Sequence, residues 1–122
     1  MSRDIYISYE LLPDGPKVDI EVRAPFYLFG TQRTSMTFWS LPDWSKLGVK
    51  RLAELGVSDP IYFYDWDMMD ELNSEIRIFQ DNITMLPFYP ELKAQWLSHI
   101  LYCYHLLIMT APKDSRPLLT IG

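Results

Sequence analysis

At 122 residues with a net charge of −5, the chain is an acidic polypeptide of single-domain length, long enough to bury a core without metal or disulfide staples. Its 48% hydrophobic and 15% aromatic content excludes a disordered chain, and eleven Lys and Arg against 16 Asp and Glu speak against neutralising a nucleic-acid backbone. The single cysteine, Cys103, excludes an intramolecular disulfide and suits a reducing compartment.

No basic start followed by an apolar run opens the sequence. The longest apolar region, residues 96–109, holds Ser98, His99 and His105 and is shorter than the ~18–20 residues of a membrane span. A buried helix is expected there, and a cytoplasmic protein with no membrane partner.

Ile5, Ile7, Tyr9 and Leu11 alternate with Tyr6, Ser8 and Glu10, the period of two that marks a half-buried strand. Val18, Ile20 and Val22 alternate with Asp19 and Glu21 in the same way. Pro13, Asp14 and Gly15 between the two runs supply turn chemistry, so an N-terminal antiparallel hairpin is expected. A third strand falls at residues 26–29 or at residues 36–39, with polar residues 31–35 as a turn or short loop. Ser40 followed by Asp43, with Pro42 in the first turn, reads as a helix start. Trp44, Leu47, Leu52 and Leu55 form its apolar stripe, and Gly56 ends it in the left-handed conformation.

Residues 61–64 are a short β-prone run between Pro60 and Asp65. Asp65 or Asp67 then caps a second helix, whose Met69, Leu72, Ile76, Phe79 and Ile83 share one face. Pro87 and Pro90 break the chain, and Pro90 with Glu91 opens a third helix to about residue 109. That helix is apolar on two sides, Leu92, Trp96, Ile100, Cys103 and Leu107 on one and Leu97, Leu101, Tyr104 and Ile108 on the other, as in a helix covered by several neighbours. Residues 118–121 are a candidate last strand. The order predicts an α+β fold: an N-terminal antiparallel hairpin and a small mixed or antiparallel sheet with about three helices packed on it, in one domain, 1–122.

Catalytic signatures are scarce. His99 and Cys103 share a helix face, but their apolar surroundings raise a thiol pKa instead of activating it, so a packed core pair is expected. A zinc site needs three or four ligands and this pair offers two. Asp65, Asp67, Asp70 and Glu71 resemble a hard-cation loop, yet the twelfth position from Asp65 is Ile76 where an EF-hand places its closing Glu. Acids at a helix N-terminus, stabilised by the macrodipole, are the simpler account. Five scattered glycines build no phosphate loop. No catalytic residue, metal or cofactor is assigned.

The charge is concentrated. Asp59, Asp65, Asp67, Asp70, Glu71, Glu75 and Asp81 fall within residues 59–83 against Arg77 alone, whereas residues 1–58 are balanced. Tyr62, Phe63, Tyr64 and Trp66 interleave these acids. Carboxylates steer a basic partner and aromatics supply the desolvated anchors, so Asp59, Tyr62, Tyr64, Asp65, Trp66, Asp67, Asp70, Glu71 and Glu75 are the candidate partner-binding residues. Met69, Leu72, Ile76, Phe79 and Ile83 go to the core, which narrows recognition to residues 62–71 and the outward acids after them.

In size, single cysteine, lack of enzyme motifs and the segment DPIYFYDWDMMDELNSE, the chain resembles the small acidic immunity proteins of bacterial polymorphic-toxin and contact-dependent inhibition systems. The resemblance implies a non-catalytic cytoplasmic protein that binds and sterically blocks a cognate, often basic, toxin domain; it implies no fold. A homo-oligomeric interaction domain with Phe26, Tyr27 and Phe29 on its contact face is the alternative, and a small enzyme with dispersed residues such as His99, Tyr102 and Asp114 a further one.

Overall fold

The alternation in the first eleven residues builds the longest strand, β1 (Ser2–Leu11), in a structure that is a computed structural model describing residues 2–122. A tight turn returns the chain into β2 (Lys17–Ile20), which pairs antiparallel with β1 in the register Ile7 to Ile20 and Tyr9 to Val18. This is the expected hairpin. On the same side of β1, β3 (Leu28–Thr31) pairs with its first residues.

From Gly30 onward the structure departs from the sequence pattern. Residues 36–39 are helical: α1 (Gln32–Trp39) starts at a reciprocal Thr31–Thr34 capping box and buries Ser35, Phe38 and Trp39. Ser40 ends this helix instead of starting the next one. The long helix expected over residues 40–56 is two short pieces, α2 (Asp43–Leu47) and a 3-10 turn (Leu52–Gly56). The break is Gly48, which holds φ 87° at the C-cap of α2, a conformation that costs glycine little. Trp44, Leu52 and Leu55 are nevertheless buried, as their stripe predicts, because both pieces face the same core.

The edge strand β4 (Ile61–Phe63) follows, then α3 (Trp66–Asn82), α4 (Pro90–Thr110) and β5 (Ser115–Ile121). The candidate last strand is a central one: the sheet order is β2-β1-β5-β4, every pairing antiparallel, with β5 joined to β1 over residues 115–121. Pro117 disguises that role, since proline is disfavoured in central strands. It is tolerated because β4 pairs only with Leu119–Ile121, so the ladder on that side has stopped before Pro117.

Ile5 and Ile7 of β1, Leu119 and Ile121 of β5, and Ile61 and Phe63 of β4 point to one side and are buried. The helices cover that side. Between sheet and helices lies a cluster of rings: Trp39 stacks on Trp44 at 4.7 Å, and Phe38 meets Trp44, Phe79, Phe88 and Trp96. Trp44 Nε1 donates to the Phe38 carbonyl at 2.8 Å, whereas the buried Trp39 Nε1 finds no partner among the described residues. Tryptophan and phenylalanine thus fill the core, while most of the exposed rings are tyrosines.

Three buried charges set the loops. Arg3 donates from Nη1 to Ser35 Oγ at 3.1 Å and to the Leu55 carbonyl at 2.7 Å, tying β1 to α1 and the 3-10 turn. Burial lowers the Arg3 pKa from its ordinary value, and the nearby Asp59 carboxylate opposes that shift. Lys93 Nζ donates to the carbonyls of Ile83 and Leu86 at 2.6 and 2.7 Å, satisfying acceptors at the end of α3. Glu75 is the third and is described with the site.

Candidate functional site

β4 is three residues long, and its geometry follows from its two apolar ends. Ile61 and Phe63 go inward, so Tyr62 goes outward and is 49% exposed. The register sets Tyr62 beside Thr120 of β5 and Thr120 beside Tyr6 of β1, which is 59% exposed. In the next row Asp19, Ser8 and Leu118 lie side by side. Tyr64, 55% exposed just past the end of β4, lines a hollow with Ser8, Leu118 and Arg116. The sheet face turned away from the helices therefore presents Tyr6, Tyr62 and Tyr64 around Leu118 and Thr120.

The acids after Tyr64 go elsewhere. Asp65 is the N-cap of α3 and accepts from the Met68 N–H at 2.7 Å, so part of this cluster is helix capping. Trp66 is half-buried and its Nε1 donates to the Ser115 carbonyl at 2.8 Å, pinning α3 to the start of β5. Asp67, Asp70 and Glu71 are exposed on the side of α3 opposite to Met69, Leu72 and Ile76. Because that apolar stripe packs on the inner face of the sheet, these acids belong to the helical layer, and Glu71 lies 3.5 Å from Arg51 Nε in an ion pair. Asp59 is exposed at the opposite end of β4 and accepts from Gln32 Nε2. The acidic and aromatic residues expected on one surface are split between two.

Glu75 leaves the candidate set. It is 4% exposed, and its carboxylate accepts three backbone N–H groups: Lys50 at 3.1 Å, Arg51 at 3.0 Å and Leu52 at 2.8 Å. These are orphan donors at the start of the 3-10 turn. A helical count finds the position, since Glu75 stands three residues after Leu72 and four before Phe79 on the buried stripe.

Sequence reasoning missed Tyr6, Asp4 and Asp19, which share the outer sheet face with Tyr62. The signal for Tyr6 was its alternation with Ile5 and Ile7, which turns it away from the core. Nothing local tells that β5 carries β1 to β4.

His99 Nδ1 lies 2.6 Å from the Leu28 carbonyl, and Cys103 Sγ donates to the Phe26 carbonyl at 3.3 Å. The two side chains fasten residues 26–28 to α4, and burial pushes the Cys103 thiol up to about 12. Asp114 falls after the end of α4, about 16 Å of helix rise beyond His99, so His99, Tyr102 and Asp114 do not form one cleft. Phe29 lies in the core, which takes it out of the expected self-association face, and the half-buried Phe26 stacks on Tyr102 at 4.1 Å. Among the described residues no three His, Cys, Asp or Glu gather as a metal site, and no helix is long and apolar enough to cross a membrane. Comparison with protein-family models, with curated proteins and with solved structures gives no match to this chain.

Proposed function

We propose that this protein is a non-catalytic binding protein of the immunity type, which neutralises a basic toxin domain in the bacterial cytoplasm by covering it. The observation that carries this reading is the uncovered sheet face. An antiparallel sheet with helices on one side ordinarily turns a polar face to water. Here that face carries Tyr6, Tyr62 and Tyr64, each about half exposed, with Leu118 between the rows. Tyrosine at the centre of a patch is a typical anchor of protein interfaces, where its truncation costs about 2 kcal/mol or more.

The border of the face chooses the partner. Asp4, Asp19 and Glu21 lie beside Tyr6 and Glu10 beside Tyr64, against Lys17 and Arg116. Tyrosines on a sheet also suit stacking by single-stranded bases. That use needs cations for the phosphates, and this border is net negative. Carboxylates around an aromatic centre attract Lys and Arg of a protein instead. Asp67, Asp70 and Glu71, on the adjoining helical layer, add long-range attraction without touching the centre.

The test is co-purification with the purified product of the adjacent reading frame, followed by calorimetric titration and a growth-rescue assay. Tyr62→Ala and Tyr64→Ala each weaken the complex at least tenfold while Asp67→Lys with Asp70→Lys mainly slows association at low salt. If both tyrosine variants bind and rescue like the parent chain, the reading is wrong.

A further inference from the structure

A trough of about 650 Å³ lies on the same sheet face, lined by Asp4, Tyr6, Asp19, Glu21, Tyr27 and Thr120 among others. Its chemistry is uneven. Tyr6 and Tyr27 offer ring faces and Ile20 and Val22 an apolar wall, while Asp4, Asp19 and Glu21 supply three carboxylates against Lys17. Lys17 is already 3.8 Å from Asp19 in an exposed ion pair. Among the described residues no cation is paired with Asp4 or Glu21.

Asp4 is the sharper observation. Among the described residues its Oδ1 is buried and accepts no hydrogen bond, and its Oδ2 receives only the long contact from the Tyr6 hydroxyl at 3.5 Å. Oδ1 is enclosed, so Oδ2 is the oxygen that the carboxylate offers to the trough, and a charged donor there gives it the strong partner that the Tyr6 hydroxyl does not. Its backbone is fixed by two bonds to Gly122, N–H to carbonyl at 3.0 Å in each direction, so the carboxylate is held in place before anything binds.

We infer that this trough is the seat for an arginine side chain of the basic partner protein, an inference that rests on the binding reading above. A guanidinium is planar, donates in a fork and stacks on rings. One such group donates to the Asp4 carboxylate at Oδ2, lies against the Tyr6 ring and leaves its outer N–H groups toward Glu21. A lysine ammonium places a point charge but neither stacks nor spans two acceptors. The selectivity for arginine over lysine is the distinctive consequence.

The experiment titrates the full ¹⁵N-labelled chain at low salt with the blocked peptide Ac-Ala-Arg-Ala-NH2 and with its lysine counterpart. The expected result is saturable movement of the Tyr6, Ser8, Asp19 and Glu21 amide signals, binding at least threefold tighter for arginine, and at least a threefold loss in Asp4→Asn at unchanged melting temperature. Should Asp4→Asn lower the melting temperature, Glu21→Gln at the exposed rim carries the same comparison. Equal affinity for both peptides, signal movement confined to Asp67, Asp70 and Glu71, or closure of the trough by a second copy seen as a concentration-dependent dimer overturns the seat. An Asp4→Asn chain that binds the adjacent reading frame's product as tightly as the parent overturns the seat alone. Absence of any complex with the parent chain overturns the binding reading and the seat with it.

Discussion

Glu75 is where a structural and a recognition role make opposite predictions. Its carboxylate collects the N–H groups of Lys50, Arg51 and Leu52, so it organises the start of the 3-10 turn from the middle of α3. In Glu75→Ala the three donors lose their acceptor. Lys50 is exposed and Arg51 half-buried, so water replaces much of what those two lose, and each contributes about 0.5–1 kcal/mol. Leu52 is fully buried, and its orphaned N–H costs about 1–3 kcal/mol. The sum is about 3 kcal/mol, a large part of the 5–15 kcal/mol that an ordinary domain has.

Glu75→Gln sharpens the test. The amide keeps one acceptor oxygen but turns an NH2 toward the remaining donors, so it recovers little, about 1 kcal/mol at most. Urea denaturation read by tryptophan fluorescence measures both variants, with m-values showing that the transition stays comparable. The expected result is a loss of about 3 kcal/mol for Ala and about 2 for Gln, with affinity for a partner unchanged in the fraction that remains folded. A loss below about 0.5 kcal/mol, the ordinary range of surface substitutions, would refute the capping argument.

Four further outcomes follow from the same structure. Gly30 holds φ +90°, and a Cβ there would stand 2.6 Å from Trp96 Cζ2, so Gly30→Ala combines backbone strain with overpacking and costs about 2–4 kcal/mol, measured as a fall in melting temperature of roughly 10 °C. The Cys103 thiol, raised by burial from 9.0 to about 12, keeps its proton in the folded state where the unfolded chain loses it. Its contribution to stability is therefore complete below pH 9, falls as pH rises toward 12, and is absent from the slope of Cys103→Ala in denaturation at stepped pH. A thiol-directed reagent labels Cys103 only on unfolding, and rapid labelling of the native chain would contradict its burial. Tyr62→Ala and Tyr64→Ala shift stability by less than about 1 kcal/mol, because both rings are already half in water, and a larger loss would make them structural.

What could be read from the sequence was what local periodicity determines. The alternation around Ile5 and Ile7 found β1, and the 3-4 spacing from Met69 to Phe79 found α3, whose cap, expected at Asp65 or Asp67, is Asp65; in both elements the buried face repeats within a few residues. Residues 31–39 failed that test. Phe38 and Trp39 are β-prone by type, and the helix they end is only eight residues, too short for periodicity to outweigh propensity. The informative signal was the Thr31–Thr34 box after Gly30. Residues 40–56 failed for the converse reason: an apolar stripe continued across Gly48, because two short pieces facing one core mimic a single helix face.

The site failed on a longer scale. Tyr62 could be turned outward from the burial of Ile61 and Phe63, and Tyr6 from the burial of Ile5 and Ile7, each by the period of two. That the two outward faces are one face depends on β5, whose residues Leu119 and Ile121 are directed inward and whose Thr120 stands between the tyrosines. A register slip of one residue in β5 would send Thr120 into the core and Leu119 to the surface. The zero exposure of Leu119 and Ile121 opposes that slip, so the apolar packing of the last strand sets the spacing of tyrosines that are 56 residues apart in the chain. The same parity keeps Asp67 and Asp70 off the sheet face, because α3 must turn Met69 and Leu72 inward to close the core beneath β4 and β5. Charge and aromatic anchors, adjacent in sequence, are thus separated by one physical demand, and the anchors gain their neighbours from the opposite end of the chain.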